Sequence, residues 1–316
     1  MRLLISRPMP EAVVARAKAE FDTEIRAMNT PLTPDEMLRA LRDFDAVVPT
    51  LGDQFSADVF GQVDAPRCRL LANFGVGFNH IDTAAAKASG VKVSNTPGAV
   101  TDATADIGMT LILMSARRAG QGERLVRAGK WAGWHPTQML GLHVTGKTVG
   151  IVGMGRIGQA VARRCHFGFG MQVRYFSRSR KRLEFPAIAM DSLTELAGKV
   201  DVLVVCVPGS PLTHHLIGDA VFRAMRPTGH LINIARGDIV DEGALIAALE
   251  AGEIAGAGLD VYEFEPEVPL ALRQMEQVTL LPHLGTAALD VRESMGNMAL
   301  DNVAAFAKGK ALPNAV

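Results

Sequence analysis

Arg236, Glu265 and His283 are the side chains of this chain best placed to do chemistry. They sit in Asn233-Ile234-Ala235-Arg236-Gly237, in Leu259-Asp260-Val261-Tyr262-Glu263-Phe264-Glu265-Pro266 and in Leu281-Pro282-His283-Leu284-Gly285. Each closely follows a short apolar run, such as His230-Leu231-Ile232-Asn233 or Val278-Thr279-Leu280-Leu281. Positions just past the carboxyl ends of sheet strands are where α/β enzymes hold their ligands. A guanidinium grips a carboxylate in a fork, and an imidazole backed by a carboxylate passes a proton near neutral pH. Singly, each residue has a plain structural reading: Arg236 paired with Asp238 or Asp241, Glu265 an exposed loop acid, His283 a structural histidine. Together, behind successive strands, they suit redox chemistry on a small 2-oxo or 2-hydroxy acid.

The elements that must position them are those of a parallel sheet covered by helices, since short β-branched runs alternate with longer helical patterns. Strands are expected at Leu3 to Ser6, Ala46 to Val48, Leu70 to Asn73 and Val91 to Ser94. A second set runs Thr148 to Val152, Val173 to Phe176, Val202 to Cys206, Leu231 to Ile234, Ala257 to Asp260 and Val278 to Leu281. Thr33-Pro34-Asp35-Glu36 reads as a capping box with proline in the first turn, and Ser192 to Glu195 as a second box; Asp241-Glu242 opens another helix. A helix from Thr101 or Asp102 to about Arg118 is apolar nearly all round, so it should be buried. A last helix, about Ala287 to Ala307, can return to the first domain.

Composition narrows the class. The 316 residues suffice for two domains, 48% are hydrophobic, and Lys plus Arg balance Asp plus Glu at 33 each. No bulk field attracts nucleic acid or an anionic membrane. The apolar run Ile107 to Met114 falls short of the roughly 20 residues a membrane span needs. No signal peptide is expected, and Cys68, Cys165 and Cys206 lack ligand-like spacing, which fits reduced, buried thiols and a cytoplasmic protein. The stretch Trp131 to Thr137 holds both tryptophans; it reads equally as a packed surface loop or as an arm inserted into a second subunit. His214-His215 is expected to have no acidic or cysteine partners nearby and is read as a loop near the adenine pocket, so no metal site is expected.

Gly153-Met154-Gly155-Arg156-Ile157-Gly158 matches G-x-G-x-x-G, with a strand leading in and a helix leading out. That context is the one a dinucleotide requires. Gly153 permits the turn, Gly155 admits a pyrophosphate, Gly158 lets helix and strand approach, and the amides opening the helix, of Arg156 and Ile157, receive the phosphates. At the end of the next strand, NAD enzymes carry an acid for the ribose hydroxyls. Here Phe176-Ser177-Arg178-Ser179-Arg180-Lys181-Arg182 offers none. Ser177, Arg178 and Ser179 suit a 2′-phosphate, so NADP(H) is favoured, with NAD as the other possibility.

With these motifs in place, the chain resembles the D-isomer-specific 2-hydroxyacid dehydrogenases, most closely their glyoxylate/hydroxypyruvate reductase branch. The likeness runs from about Leu70 to the C-terminus through Asn73-Phe74-Gly75-Val76-Gly77, Asn95-Thr96-Pro97-Gly98, the glycine turn, Asn233 to Asp241, Gly258 to Pro266 and Pro282 to Ala287. It implies an α/β fold of two doubly wound parallel-sheet domains, a Rossmann-type cofactor domain over residues 99–285 and a flavodoxin-like substrate domain over 1–98 and 286–316, with a cleft between them. It implies that Arg236 binds the substrate carboxylate, that His283 donates or accepts the proton, and that Glu265 supports the imidazole. Leu51, Val76 and Gly77 join the carboxylate site, the last two through their amides. Asp260 orients the nicotinamide carboxamide, Ile234, His283 and Gly285 line the cofactor, and Val207, Pro208 and Thr213 flank its adenosine half. Phe176 stands where NAD-preferring relatives carry aspartate. The expected activity is reduction of glyoxylate and hydroxypyruvate with NADPH, in a homodimer built through residues 100–145, because Trp131 to Leu142 resembles that branch's dimer arm. A broader 2-oxoacid or phosphite-type dehydrogenase would use the same three groups. A nucleotide-sensing co-repressor of the same fold is the alternative of another class.

Overall fold

Each β-branched run named above becomes a parallel strand in the computed structural model, which describes all 316 residues. The chain divides into two units, Met1–Val100 with Thr286–Val316, and Thr101–Gly285. The first unit begins β1 (Arg2–Ile5), α1 (Glu11–Glu20), β2 (Asp22–Ile25), α2 (Pro34–Asp43), β3 (Ala46–Val48), α3 (Ala57–Gly61), β4 (Leu70–Ala72), α4 (Thr83–Ala88) and β5 (Lys92–Ser94). Its five strands are ordered β2-β1-β3-β4-β5, the flavodoxin-like order. The inner strands are apolar on both faces, as a sheet covered by helices on both sides demands. Leu3, Ile5, Val48 and Leu70 pack on one face with Val13, while Leu4, Val47 and Leu71 pack on the other with Leu41 and Phe44. The expected capping box is complete: Glu36 N donates to Thr33 Oγ1 and Thr33 N to Glu36 Oε2.

The second unit runs α5 (Thr101–Ala116), α6 (Ala119–Arg127), β6 (Thr148–Val152), α7 (Arg156–Phe169), β7 (Gln172–Phe176), β8 (Ala187–Ala189), α8 (Leu193–Gly198), β9 (Val202–Val205), α9 (Asp219–Ala224), β10 (His230–Asn233), α10 (Glu242–Glu250), β11 (Gly256–Leu259), α11 (Leu270–Gln274) and β12 (Val278–Leu280). The sheet order is β12-β11-β10-β9-β6-β7-β8, a doubly wound sheet whose strand order reverses between β6 and β9. α5 lies directly on this sheet: a Cβ on Gly258 of β11 would meet Leu111 at 3.0 Å. The chain then returns to the first unit through α12 (Leu289–Ala307). There Gly296 lets α12 cross α1 closely, since a Cβ would sit 2.6 Å from Val13.

Several expectations need correction. β2 and β8 were not foreseen, because Asp22-Thr23-Glu24-Ile25 is half charged and Ala187-Ile188-Ala189 is short; both are edge strands. The helix expected to reach Arg118 stops at Ala116, and α6 follows a residue in the left-handed region, Arg118 at φ 53°. The capping box at Ser192 is only half made. Glu195 N donates to Ser192 Oγ at 3.1 Å, but the Glu195 carboxylate turns forward to Lys199 at 3.0 Å. Cys68 and Cys165 are buried, and burial pushes both thiols up to about 12; such thiols are packing groups. No helix is long and apolar enough to cross a membrane.

Candidate active site

The glycine turn follows β6 at the reversal point of the sheet. Gly153 has φ +96°, and a Cβ there would lie 2.7 Å from Val207, just past β9. On Gly158 a Cβ would strike the Gly153 carbonyl oxygen at 2.1 Å, whereas Gly155 faces nothing within 4 Å. Two glycines thus close the turn and the third leaves an open backbone surface. No side chain caps α7, so the first-turn amides of Arg156 and Ile157 have no intrahelical acceptor, the arrangement that suits an anion. This cradle fits a pyrophosphate.

Beyond β7, Ser177 is half-buried and Arg178, Ser179 and Arg180 are exposed. Lys181 Nζ donates to Ser179 Oγ at 2.9 Å, and Lys181 N to Tyr175 Oη at 3.0 Å, which shapes the turn. Glu184, the first acid after it, is taken by Arg163. The turn is therefore cationic, with hydroxyls interleaved. After β9, Pro208 to Thr213 forms a loop closed on itself. The Thr213 hydroxyl donates to Pro208 O at 2.8 Å and accepts from Ser210 N at 2.9 Å, so it shapes the loop rather than reaching outward. Ile234 is buried, 6% exposed, against Gly108 and the core of this unit.

Arg236, Glu265 and His283 follow β10, β11 and β12, three adjacent strands ending on one edge of the sheet. His283 Nδ1 lies 2.9 Å from Glu265 Oε2. The other oxygen, Oε1, accepts from Tyr262 N at 3.0 Å. Burial pushes the Glu265 carboxyl upward, but the bond and charge of His283, the Tyr262 amide and the charge of Arg236 outweigh it and hold it below the usual carboxylate range. An ionised carboxylate only accepts, so Nδ1 carries the proton and Nε2 is the nitrogen left to act. Burial lowers the Arg236 guanidinium below its usual range, against the opposing charges of Glu265 and Asp238. Its NH1 donates to Ala235 O at 2.6 Å.

The backbone around these groups is rigidly held. Asn233 Nδ2 donates to Arg236 O at 2.9 Å while its Oδ1 accepts from Ala235 N at 3.0 Å, pinning the arginine turn. Gly237 is essential to that turn: a Cβ would lie 1.8 Å from the Tyr262 carbonyl carbon. His283 itself has φ +54°, a strained region for a residue with a Cβ. The strain is fastened by Asp260, whose main-chain oxygen accepts from His283 N at 2.9 Å and whose carboxylate accepts from Leu284 N at 2.7 Å and Gly285 N at 2.8 Å. Asp260 thus holds the histidine loop, a duty not visible in sequence.

Within the first unit, the loop after β4 is ordered by side chains. Asn73 Nδ2 donates to Gly75 O and Gly77 O, at 3.0 and 2.9 Å, and Asn95 Nδ2 donates to Val76 O at 2.9 Å. These bonds occupy the carbonyls of Gly75, Val76 and Gly77 and fix the course of the loop. Leu51 O accepts from Arg7 at 2.8 Å, and fully buried Asp53 anchors the same turn through Thr50 N at 2.7 Å and Leu32 N at 2.8 Å. Sequence reasoning missed Asp53; an acid followed by no basic partner gave no signal. It also erred at His215. That histidine does have acidic partners, Glu263 Oε1 at 2.8 Å from Nε2 and Asp241 at 3.8 Å from Nδ1.

Comparison with known proteins places the chain in a family. The family model for the NAD binding domain of the D-isomer specific 2-hydroxyacid dehydrogenases matches residues 109–285. A glyoxylate reductase of Thermococcus kodakarensis is 41% identical over 321 residues, covering 100% of this chain and 96% of that protein. Among solved structures, the NADPH-dependent glyoxylate/hydroxypyruvate reductase of Sinorhizobium meliloti, in complex with NADP and malonate, superposes with a TM-score of 0.87 at 34% identity, covering 100% of this chain and 96% of that one. A glyoxylate reductase from Paecilomyes thermophila gives 0.88 at 31% identity, with 100% and 98% covered.

Proposed function

This chain belongs to the D-isomer specific 2-hydroxyacid dehydrogenase family, and from that premise we propose that it reduces glyoxylate and hydroxypyruvate to glycolate and D-glycerate with NADPH. The observation that carries the reading is the 2.9 Å pairing of His283 with Glu265, within electrostatic reach of Arg236 and on the strand edge that also bears the glycine cradle. When bound, the reduced nicotinamide supplies a hydride to the 2-oxo carbon of the substrate. Arg236 holds the substrate carboxylate and polarises the neighbouring carbonyl. Protonated His283 gives its Nε2 proton to the oxygen on which negative charge develops, leaving a hydroxyl. Glu265 stabilises the imidazolium before transfer and keeps the proton on Nδ1 afterwards.

The chain's own residues also decide the cofactor form. Gly153, Gly155, Arg156, Ile157 and Gly158 take the pyrophosphate; Ser177, Arg178 and Ser179 take the 2′-phosphate; Val207, Pro208 and Thr213 frame the adenosine; Ile234, Asp260 and Gly285 set the nicotinamide end. In the same reading the enzyme is a homodimer joined through residues 100–145, where Trp131, Trp134 and Leu140 are exposed.

Steady-state reduction of glyoxylate, hydroxypyruvate and bulkier 2-oxoacids, with NADPH and NADH compared, tests the proposal. Preference for the two small acids with NADPH is expected. Arg178→Asp should cut the NADPH preference about tenfold or more, as loss of a charge-assisted phosphate contact predicts. Equal or better turnover of bulky acids would replace the narrow assignment with a broad one, and unchanged cofactor discrimination in Arg178→Asp would remove that residue from the phosphate site.

A further inference from the structure

Outside the groups given a role above, His215 and Glu263 form a second imidazole–carboxylate pair, with Glu263 on the segment that carries Glu265 and His215 hydrogen-bonded to the segment that carries Arg236. His215 ends the loop after β9 with φ +49°, and its ring stacks on His214 with centroids 4.0 Å apart. Its backbone N donates to Asp238 O at 2.8 Å, two residues past Arg236. The stitching continues as Ile217 N donates to Ile239 O and Asp241 N to Ile217 O, each at 3.0 Å. The ring nitrogen Nε2 meets Glu263 Oε1 at 2.8 Å, two residues before Glu265. Glu263 is held in turn through its own amide, which donates to Glu242 Oε1 at 3.0 Å. Between these tethers Gly237 lies against the Tyr262–Glu263 backbone with no room for a Cβ.

We propose that His215 and Glu263 are positioning residues, a bridge that fixes the Arg236 turn and the Glu265 segment relative to each other; the proposal rests on the functional reading above. The backbone of His215 grips one segment and its ring grips the other. A single residue therefore spans the carboxylate clamp and the proton relay. Neither residue touches the reacting atoms in this assignment. Their removal leaves Arg236 and Glu265 in place chemically but free to drift, and displacements of about 1 Å in such groups cost up to a hundredfold in rate.

A double-mutant cycle decides the matter. Glu263→Ala and His215→Ala should each lower kcat for glyoxylate about tenfold, the double variant should be no worse than the poorer single one, and Glu263→Gln, which keeps an acceptor, should recover most of the loss. NADPH binding, read by cofactor fluorescence, should stay within about twofold in all of them, because the glycine cradle is untouched. Should the alanine variants fail to fold, His215→Asn tolerates the same backbone conformation but is too short to hold Glu263. A merely structural pair would lower thermal stability and leave kcat alone, and that outcome overturns the proposal. So would independent, multiplying effects of the two alanine changes. Activity removed by EDTA and restored by Zn²⁺ would overturn it too, since His214, His215 and Glu263 would then be metal ligands. NMR of the His283 ring is a readout independent of turnover: its resonances should move in His215→Asn, and unmoved resonances sink the proposal. A wild-type enzyme inert toward glyoxylate with shifted His283 resonances in the variant would instead retire the functional reading and keep the bridge.

Discussion

A histidine can serve as a proton relay only if one nitrogen is committed and the other is free to react, and His283 meets that condition through Glu265 at 2.9 Å. Its positive φ places a cost on the backbone that would not persist without the three bonds from Asp260. The neighbouring groups divide the work by charge. Arg236 stays cationic even where burial lowers it, because a guanidinium does not lose its proton in a protein. On the proposed assignment, substituting His283→Ala removes the proton step and little else. We expect kcat for glyoxylate to fall by about 10² to 10⁴, the usual contribution of a positioned acid, with NADPH binding retained. Stopped-flow turnover alongside cofactor fluorescence checks both halves, and retained turnover would end the proton-donor assignment.

At the level of elements, the close contact between the turn after β10 and the segment after β11 is the feature on which the site depends. Gly237→Ala puts a methyl group 1.8 Å from the Tyr262 carbonyl carbon, against backbone that has no rotamer to yield. The turn and the Glu265 segment must separate, so we expect a stability loss of about 3 kcal/mol or more and a fall in kcat, read by urea denaturation and steady-state assay. A variant as stable and active as the parent would mean that the contact is looser than the geometry requires. The Thr33 capping box, the glycine turn and ten of the strands were legible in the sequence, because each depends on residues near one another in the chain. What could not be read depended on distance along the chain or on weak local pattern. His215 meets Glu263 across 48 positions, Asp53 meets Leu32 across 21, and neither pair leaves a mark in spacing. β2 and β8 were missed for the second reason, since charged or very short edge strands lack the periodicity by which elements are recognised; α6 was missed because Gly120 and Gly122 in its first turn are poor helix formers. Ser192 illustrates the limit of motif reading, since its glutamate found Lys199 instead of completing the box.

For the whole molecule, assembly and stability are the properties to test. Trp134 is 79% exposed and Leu140 69%, in a segment with little apolar cover of its own. If this segment joins two copies, Trp134→Glu should convert a particle of twice the chain mass into a monomer by light scattering, and an unchanged mass would move the interface elsewhere. Stability itself carries a pH signature set by one buried side chain. His230, in β10, is 6% exposed, its Nδ1 lies 2.8 Å from Ser115 Oγ of α5, and burial pushes it down from 6.5 to about 4. Above pH 6.5 neither the folded nor the unfolded chain holds a proton there, so the neutral imidazole's packing is fully available. As the pH falls below 6.5, the unfolded chain binds a proton that the folded chain refuses until about pH 4, and stability is lost across that window. By pH 4.5 the loss from this one group should approach 2 to 3 kcal/mol by order of magnitude, roughly 1.4 kcal/mol for each unit between the two values. His230→Gln keeps a partner for Ser115 but cannot titrate. Urea unfolding of both proteins at pH 7 and pH 4.5 should therefore show the parent losing that much more than the variant on acidification. Parallel losses would mean that His230 charges within the fold and that the sheet beneath α5 gives way to water before the rest of the chain does.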